Sequence, residues 1–301
     1  DDSVMSQVYN NAGENPRSNQ AIAETKGLVM QYNGSVISAV FFSTGSGATG
    51  LPGDAWFEGT TPVPDNTGPY HSTLYAFDEQ GNPLSFDIED ESSMLAFYKR
   101  IKVNSYDMDS VYQRWHYQET KAGITSQLQN NLPARHSAKP DQVLTKVADS
   151  FESRPIPADI GTVTDLNPVS RGEGGLVTCL EIETTKYIFR VYGEYNIRML
   201  FRNLTIGTAT GTSNGYTNRS FSFLPSAYFA LETSGDTVHF YGGGYGHGTG
   251  MSQYGANNMA SRGKTFEEIL KFYYNNFEFV EWVRVEEPTF NAKEVFNLLP
   301  N

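Results

Sequence analysis

The chain has 301 residues, of which 39% are hydrophobic and 13% aromatic, and its formal net charge at pH 7 is -12. This length and apolar content suffice for a sizeable core in one large domain or two smaller ones, and they exclude a disordered chain. The negative charge disfavours nucleic acid and anionic membrane surfaces as partners, because both are bound through basic surfaces. Cys179 is the only cysteine, so the sequence excludes an intramolecular disulfide and a cysteine-based zinc site.

The start of the chain lacks the features of a targeting segment. Residues Asp1 to Val4 have neither the basic region nor the apolar core of a signal peptide, and no apolar run is long enough to span a bilayer. We therefore expect that an upstream signal or membrane anchor has been removed, and that Ser3 to Tyr9 belong to a loop.

A hairpin is predicted near the start. The two alternating runs Gly27–Tyr32 and Val36–Phe42 flank Asn33-Gly34, which is a strong hairpin-turn signal. The segment Ser43–Gly50 follows and is rich in hydroxyl groups and glycine. Its ordinary interpretation is a polar loop at the end of a strand.

Residues 60–110 are acidic and rich in turn residues, including Pro64 and the run 65–69, which indicates an insertion with a solvated face. Within it, a short helix is predicted from Ser92 to Arg100. The next predicted elements are a strand at Val111–Tyr117, with Trp115 in the core, and short helices at Thr125–Leu132 and Asp141–Val147.

Strands dominate the rest of the chain. The predicted strands are Ile160–Leu166, Val177–Glu183, Tyr187–Tyr192, Phe221–Phe223, Tyr228–Thr233 and Thr237–Tyr241. Gly172–Gly175 and Ser234–Asp236 separate them as hairpin turns. The pattern predicts an α+β fold, with a β-rich core of hairpins and a few short helices.

The glycine-rich segment Gly242–Ala256 is the most distinctive part of the sequence. Glycine allows positive φ angles and close approach to the backbone, but the spacing fits neither a phosphate-binding loop nor a dinucleotide motif. The polar and aromatic groups along it suit a neutral sugar. These candidate binding residues are Tyr245, His247, Ser252, Gln253 and Tyr254. For His247 two roles stay open: it contacts the substrate, or it bonds to backbone carbonyls and holds the segment in place.

A C-terminal helix is predicted after this segment. Met259 lies in a short helical stretch that ends at Gly263, and Thr265 with Glu268 forms the pattern of a capping box. Apolar residues then recur at helical spacing from Phe266 onward.

Three motifs in order resemble the family of stage II sporulation protein D and the amidase enhancer. The first joins Lys26–Gly34 to Ala39–Gly47, the second is Tyr192–Arg198, and the third extends from Tyr245 to Ala256 and continues to Tyr274. Residues from about 60 to about 150 match poorly. The resemblance implies three parts, namely 1–59 as the N-terminal part of the family domain, 60–150 as an insertion and connecting segment, and 151–301 as the β-rich C-terminal part.

The resemblance implies a bacterial protein of the cell envelope or cell surface that binds peptidoglycan glycan strands. It further implies a lytic transglycosylase that cleaves between N-acetylmuramic acid and N-acetylglucosamine, in sporulation or cell-wall remodelling. A noncatalytic module that enhances an N-acetylmuramoyl-alanine amidase is the alternative. The family's catalytic glutamate is expected upstream of Asp1, so whether this chain is itself an enzyme stays open.

Glu194 is the only acidic residue inside a matched motif. Arg198 lies four residues later, which predicts a structural ion pair and disfavours Glu194 as a proton donor. Ser43 and Thr44 are added to the candidate glycan-binding residues because their loop matches the family. Phe42 stands where the family often has histidine, and no cofactor or metal is expected.

Overall fold

The computed structural model describes residues 13–63 and 70–282. These residues fall into two compact units, one made of residues 13–37 with 277–282 and the other of Ser38–Asn276. The predictions for Ser3 to Tyr9 and for the turn residues 64–69 lie outside the described residues.

The structure is α+β and rich in strands, which confirms the predicted fold class. The helices are α1 (Pro16–Glu24), α2 (Pro52–Ala55), α3 (Glu91–Lys99), α4 (Lys121–Ala138), α5 (Glu194–Met199), α6 (Gln253–Ser261) and α7 (Phe266–Tyr273). The strands of the first half are β1 (Leu28–Tyr32), β2 (Ser35–Val36), β3 (Phe41–Phe42), β4 (Ala48–Thr49), β5 (Phe57–Glu58), β6 (Thr61–Pro62), β7 (Thr73–Leu74), β8 (Arg114–Thr120), β9 (Val143–Val147) and β10 (Ser150–Glu152). Those of the second half are β11 (Val163–Arg171), β12 (Val177–Thr184), β13 (Ile188–Tyr192), β14 (Arg202–Ala209), β15 (Thr217–Phe223), β16 (Phe229–Ser234), β17 (Thr237–Gly242), β18 (Met251–Ser252) and β19 (Glu278–Glu281).

The smaller unit contains the predicted hairpin. Strands β1 and β2 pair around Asn33 and Gly34, whose φ angles of 50° and 78° are those of a two-residue hairpin turn. Strand β19 pairs with the other edge of β1. The second strand ends at Val36, so its predicted extension to Phe42 is wrong. Phe41 and Phe42 instead pair in parallel with Met251 and Ser252, in the larger unit.

The first five-stranded sheet of the larger unit has the order β10-β9-β13-β12-β11, and all its neighbours are antiparallel. Residues 143–147 form a strand here, so the helix predicted for Asp141–Val147 is wrong. Val143, Leu144 and Thr145 are buried against β13, where Thr145 lies opposite Phe189. This burial and pairing with a neighbouring strand decide the conformation of the segment.

The second five-stranded sheet has the order β15-β14-β8-β17-β16. Strand β8 lies at its centre and carries Trp115, which is fully buried as predicted. Strand β14, next to it, was not predicted from the sequence. The edge strand β15 is longer than the three residues predicted for it.

The long helix α4 covers part of this core. Its buried residues Ile124, Leu128 and Leu132 recur every four residues, so one face of the helix is apolar. The Thr120 hydroxyl caps the helix by accepting a hydrogen bond from the Gly123 amide at 3.0 Å. The predicted helix Ser92–Arg100 is confirmed within one residue at each end.

The C-terminal helices are confirmed. Ser252 caps α6, which ends just before Gly263. Thr265 and Glu268 form the predicted capping box at the start of α7, with both reciprocal hydrogen bonds present. The glycine-rich segment is therefore held between strand β17 and helix α6.

Candidate functional site

The glycines of the glycine-rich segment allow other parts of the chain to pack closely against their backbone. Gly244, Gly246, Gly248 and Gly250 all have positive φ angles, between 77° and 113°. A Cβ atom on Gly248 would lie 2.1 Å from the ring of Tyr228, and one on Gly250 would lie 2.1 Å from a backbone oxygen of the protein. These two glycines are therefore required by packing within the fold.

His247 is held by the backbone on both sides of its ring. Its Nδ1 accepts a hydrogen bond from the Thr249 amide at 3.2 Å, and its Nε2 lies 3.0 Å from the Phe41 carbonyl oxygen, to which it donates. The ring also packs against Trp56, with the centroids 5.1 Å apart. Burial lowers the pKa of His247, which favours the neutral ring that this pattern needs. The geometry is that of a side chain that holds the segment in place.

Ser252 is completely buried, and its hydroxyl forms hydrogen bonds within the fold. Its hydroxyl accepts a hydrogen bond from the Gly255 amide at 3.1 Å and so caps helix α6. It also donates to the carboxylate of Asp107. A glycan could not reach this hydroxyl without displacing the surrounding chain.

Asp107 is a buried residue that the sequence did not single out. Its carboxylate accepts hydrogen bonds from the Gly45 amide at 2.9 Å and the Tyr75 hydroxyl at 2.8 Å, in addition to Ser252. Burial raises the pKa of Asp107 to about 6, although these hydrogen bonds lower it. One carboxylate thus joins the loop after β3, the predicted insertion and the start of α6.

The loop after β3 and the glycine-rich segment are paired side by side. Thr44 and Tyr245 exchange two backbone hydrogen bonds, of 3.1 and 2.8 Å. The Thr44 side chain is buried and bonds to the Ser110 hydroxyl at 2.8 Å. Ser43 is half-buried, and its carbonyl oxygen accepts from the Tyr254 amide at 3.1 Å. The structure therefore brings both sequence-matched segments together.

Among the sequence-predicted residues, Tyr245, Gln253 and Tyr254 present side chains to solvent. Gln253 and Tyr254 are exposed in the first turn of α6, and Tyr254 is 41% exposed. Tyr245 is half-buried and stacks on Tyr112, with ring centroids 4.9 Å apart and an angle of 28° between the planes.

Tyr245 lines an open groove of about 510 Å³. The other lining residues are Tyr112 and five consecutive residues of edge strand β15, namely Arg219, Ser220, Phe221, Ser222 and Phe223. The groove therefore combines four aromatic rings, two of them from tyrosine, with two serine hydroxyl groups and one guanidinium group. Except for Tyr245, none of these residues was predicted as a site residue. The alternation of aromatic and polar residues in 219–223 is a strand pattern, and nothing local distinguishes it from an ordinary sheet edge.

Glu194 forms the predicted ion pair. Its carboxylate lies 2.8 Å from the Arg198 guanidinium, and both side chains are more than nine-tenths buried. Arg198 also donates to the Leu224 carbonyl oxygen at 2.9 Å. The Glu194 carboxylate is thus engaged in a buried ion pair within helix α5.

Residues 13–63 and 70–282 lack two further features. No group of three or more histidine, cysteine, aspartate or glutamate side chains lies in an arrangement that could hold a metal ion. Within the same residues, no helix is both long and apolar enough to cross a membrane.

Comparisons with known proteins agree with the motifs. A family described as "Domain of unknown function (DUF8618)" matches residues 135–250. The amidase enhancer of Bacillus subtilis (strain 168) is 26% identical over 273 residues, which are 91% of this chain and 34% of that protein. Stage II sporulation protein D of the same organism is 44% identical over 78 residues, which are 24% of this chain and 23% of that protein. A protein of the same name from Bacillus amyloliquefaciens is 47% identical over 58 residues, which are 19% of this chain and 17% of that protein.

The chain thus spans about a third of the amidase enhancer and less than a quarter of either sporulation protein. The match to the amidase enhancer covers nearly the whole chain, and the matches to the sporulation proteins have higher identity over shorter segments. Together with the three motifs, these similarities confirm the predicted resemblance of the chain to the family of stage II sporulation protein D and the amidase enhancer.

Proposed function

We propose that this protein binds peptidoglycan glycan strands in the groove beside Tyr245, in a role at the bacterial cell envelope. A cell-wall-related role is supported by the names of its relatives. The observation that carries the glycan proposal is the stacked pair Tyr112 and Tyr245, at the point where the family motif borders the groove.

The chemistry of the groove suits a sugar chain. Aromatic rings offer apolar faces to the C–H faces of pyranose rings, and Phe221 and Phe223 supply two more beyond the tyrosine pair. Ser220 and Ser222 are exposed and can exchange hydrogen bonds with sugar hydroxyl and acetamido groups. The open shape admits a long polymer from the side. A largely uncharged glycan is also compatible with the net charge of -12.

The proposed reaction of the full-length protein is lytic cleavage between N-acetylmuramic acid and N-acetylglucosamine. Such a reaction needs a carboxyl group that can donate a proton to the leaving oxygen. Glu194 is engaged by Arg198 in a buried ion pair, and in line with the family resemblance we place the proton donor in a segment upstream of Asp1. The 301-residue chain then supplies glycan binding and does not cleave.

The second candidate is a noncatalytic module that binds glycan and stimulates a cell-wall amidase. The observation that favours it is the match of 91% of this chain to a protein named amidase enhancer. Both candidates use the same groove. They differ in whether the full-length protein breaks glycosidic bonds.

Co-sedimentation with purified peptidoglycan sacculi tests the binding proposal. We expect Tyr112→Ala and Tyr245→Ala each to weaken binding about five- to tenfold, because each removes a ring worth roughly 1 kcal/mol. Phe266→Ala is the matched control, since Phe266 is an exposed aromatic residue outside the groove. Equal binding by all three variants would refute the groove. If Tyr254→Ala loses sacculus binding and the groove variants do not, the binding site lies at the start of α6.

Mass spectrometry of the treated sacculi separates the two candidates. The full-length protein should release 1,6-anhydromuropeptides if it is a lytic transglycosylase, and the 301-residue chain should not. If the full-length protein releases none but accelerates a purified amidase, the enhancer role is correct. Anhydro products from the 301-residue chain would contradict an upstream proton donor.

A further inference from the structure

A pair of histidines lies on the second sheet, away from the residues assigned to the glycan site. His116 is on the central strand β8 and His239 is on the neighbouring strand β17. The Nε2 atom of His116 lies 3.2 Å from the Nδ1 atom of His239, and the two rings are nearly parallel. Both side chains are half-buried, so this surface of the sheet is open to small solutes.

The nitrogen–nitrogen distance matches what one metal ion requires. Zinc lies about 2.0–2.1 Å from an imidazole nitrogen, so two ligands at a tetrahedral angle are about 3.3–3.4 Å apart. Two neighbouring ligands of a square-planar ion are about 2.9 Å apart on the same bond lengths. The observed 3.2 Å lies between these values. The two nitrogen atoms are therefore already at the separation of two ligands of one metal ion.

The surroundings hold both rings in position. Tyr241 lies directly opposite His116 across the strands, and their rings stack with centroids 4.6 Å apart. Tyr216 packs near His116 at 5.7 Å. Glu232 lies opposite His239 on β16 and pairs with Lys99 at 2.6 Å. The Glu232 carboxylate is thus engaged by Lys99, and the two imidazoles are the protein ligands that remain.

Metal binding needs both facing nitrogen atoms free of protons. One proton is shared between Nε2 of His116 and Nδ1 of His239 in the hydrogen bond. A shift of that proton to the outer nitrogen of the same ring frees both facing nitrogens, so no net proton release is needed.

We propose that His116 and His239 form a surface site for a divalent transition-metal ion, with imidazole nitrogens as its two protein ligands. Water fills the other positions. The affinity of nitrogen ligands for divalent transition metals follows a general order in which Cu²⁺ stands above Zn²⁺, so Cu²⁺ should bind this site more tightly. The site is separate from the proposed glycan groove and does not depend on it.

Calorimetric titration of the untagged 301-residue chain with CuCl₂ and with ZnCl₂ tests the site. We expect one equivalent of either ion to bind, and the affinity to fall at least tenfold in His116→Gln and in His239→Gln. His136→Gln is the matched control and should bind as the wild type does, since His136 lies on helix α4 and its Nε2 atom bonds to the Ser153 hydroxyl. Absence of binding by the wild type, or equal binding by all variants, would overturn the proposal.

A spectroscopic measurement on the wild type makes the test independent of variant folding. Electron paramagnetic resonance of the Cu²⁺ complex should show two equivalent imidazole nitrogens. A spectrum with one imidazole nitrogen, or with oxygen ligands alone, would overturn the site even if Cu²⁺ binds somewhere on this acidic protein. Zinc should also raise the melting temperature of the wild type and of His136→Gln but not that of the other two variants.

Discussion

The hydroxyl of Ser252 donates a hydrogen bond to the carboxylate of Asp107, although the two residues are 145 positions apart. Both side chains are fully buried. The bond connects the cap of helix α6 to the segment predicted as an insertion. The glycine-rich segment that leads into α6 therefore depends on a carboxylate that lies far away in the sequence.

The first prediction concerns the titration of Asp107. Its pKa in the folded protein is raised from 3.8 to about 6, so the folded state holds more protons than the unfolded state between these pH values. Raising the pH through this window must then disfavour folding. We expect the unfolding free energy of the wild type to fall relative to Asp107→Asn, by up to about 1.4 kcal/mol per pH unit.

Urea unfolding at several pH values between 4 and 7 measures this difference. Asp149→Asn serves as a control because Asp149 is exposed in a turn. Its stability profile should run parallel to that of the wild type. A parallel profile for Asp107→Asn as well would contradict the raised pKa.

The second prediction is that His247 acts on stability through its neutral ring. Because burial lowers its pKa below 6.5, its contribution to stability is fully present above pH 6.5 and is lost as the pH falls through 6.5 and below. At pH 8, His247→Gln should cost about 1 kcal/mol for an impaired backbone hydrogen bond. Below pH 6.5 the wild type should lose stability faster than the variant.

Melting temperature and sacculus binding, measured together, decide the role of His247. If it only holds the segment in place, the loss of binding should follow the loss of folded protein. A large loss of binding at unchanged melting temperature would show direct contact with the glycan. His136→Gln should change neither quantity, because His136 lies outside the segment.

The third prediction concerns Glu194, which should behave as a structural residue. Glu194→Gln leaves the buried guanidinium of Arg198 without its counter-charge, and breaking such a pair costs roughly 3 kcal/mol or more. Thermal unfolding measures the loss, with the exposed Glu173→Gln as a control. A Glu194→Gln variant that melts like the wild type but removes a cleavage activity of the full-length protein would identify Glu194 as catalytic.

The fourth prediction separates two glycines with the same backbone conformation. Gly248 and Gly235 have φ angles of 78° and 61°, but only a Cβ atom on Gly248 would meet other atoms, in the ring of Tyr228. Each alanine variant carries a backbone strain of about 1 kcal/mol or more. Gly248→Ala should cost roughly 1–3 kcal/mol more because of the clash. Equal melting temperatures of the two variants would contradict the packing role of Gly248.

Short-range patterns in the sequence determined several features by themselves. The turn Asn33-Gly34, the capping box of Thr265 and Glu268, and the pair Glu194 and Arg198 all lie where they were predicted. Each depends on backbone preferences or side chains within four residues, so its geometry follows from local spacing. The family motifs likewise marked the segments around Ser43 and Tyr245, which the structure brings together.

Tertiary structure decided the rest of the site. Residues 143–147 form a strand because they pair with the edge of β13. Phe41 lies outside the predicted hairpin because it pairs with Met251. Asp107 and the groove wall beside Tyr112 acquire their roles through partners more than 30 positions away. Such contacts exist only after distant strands have paired, and the local spacing of residues does not indicate which strands will pair.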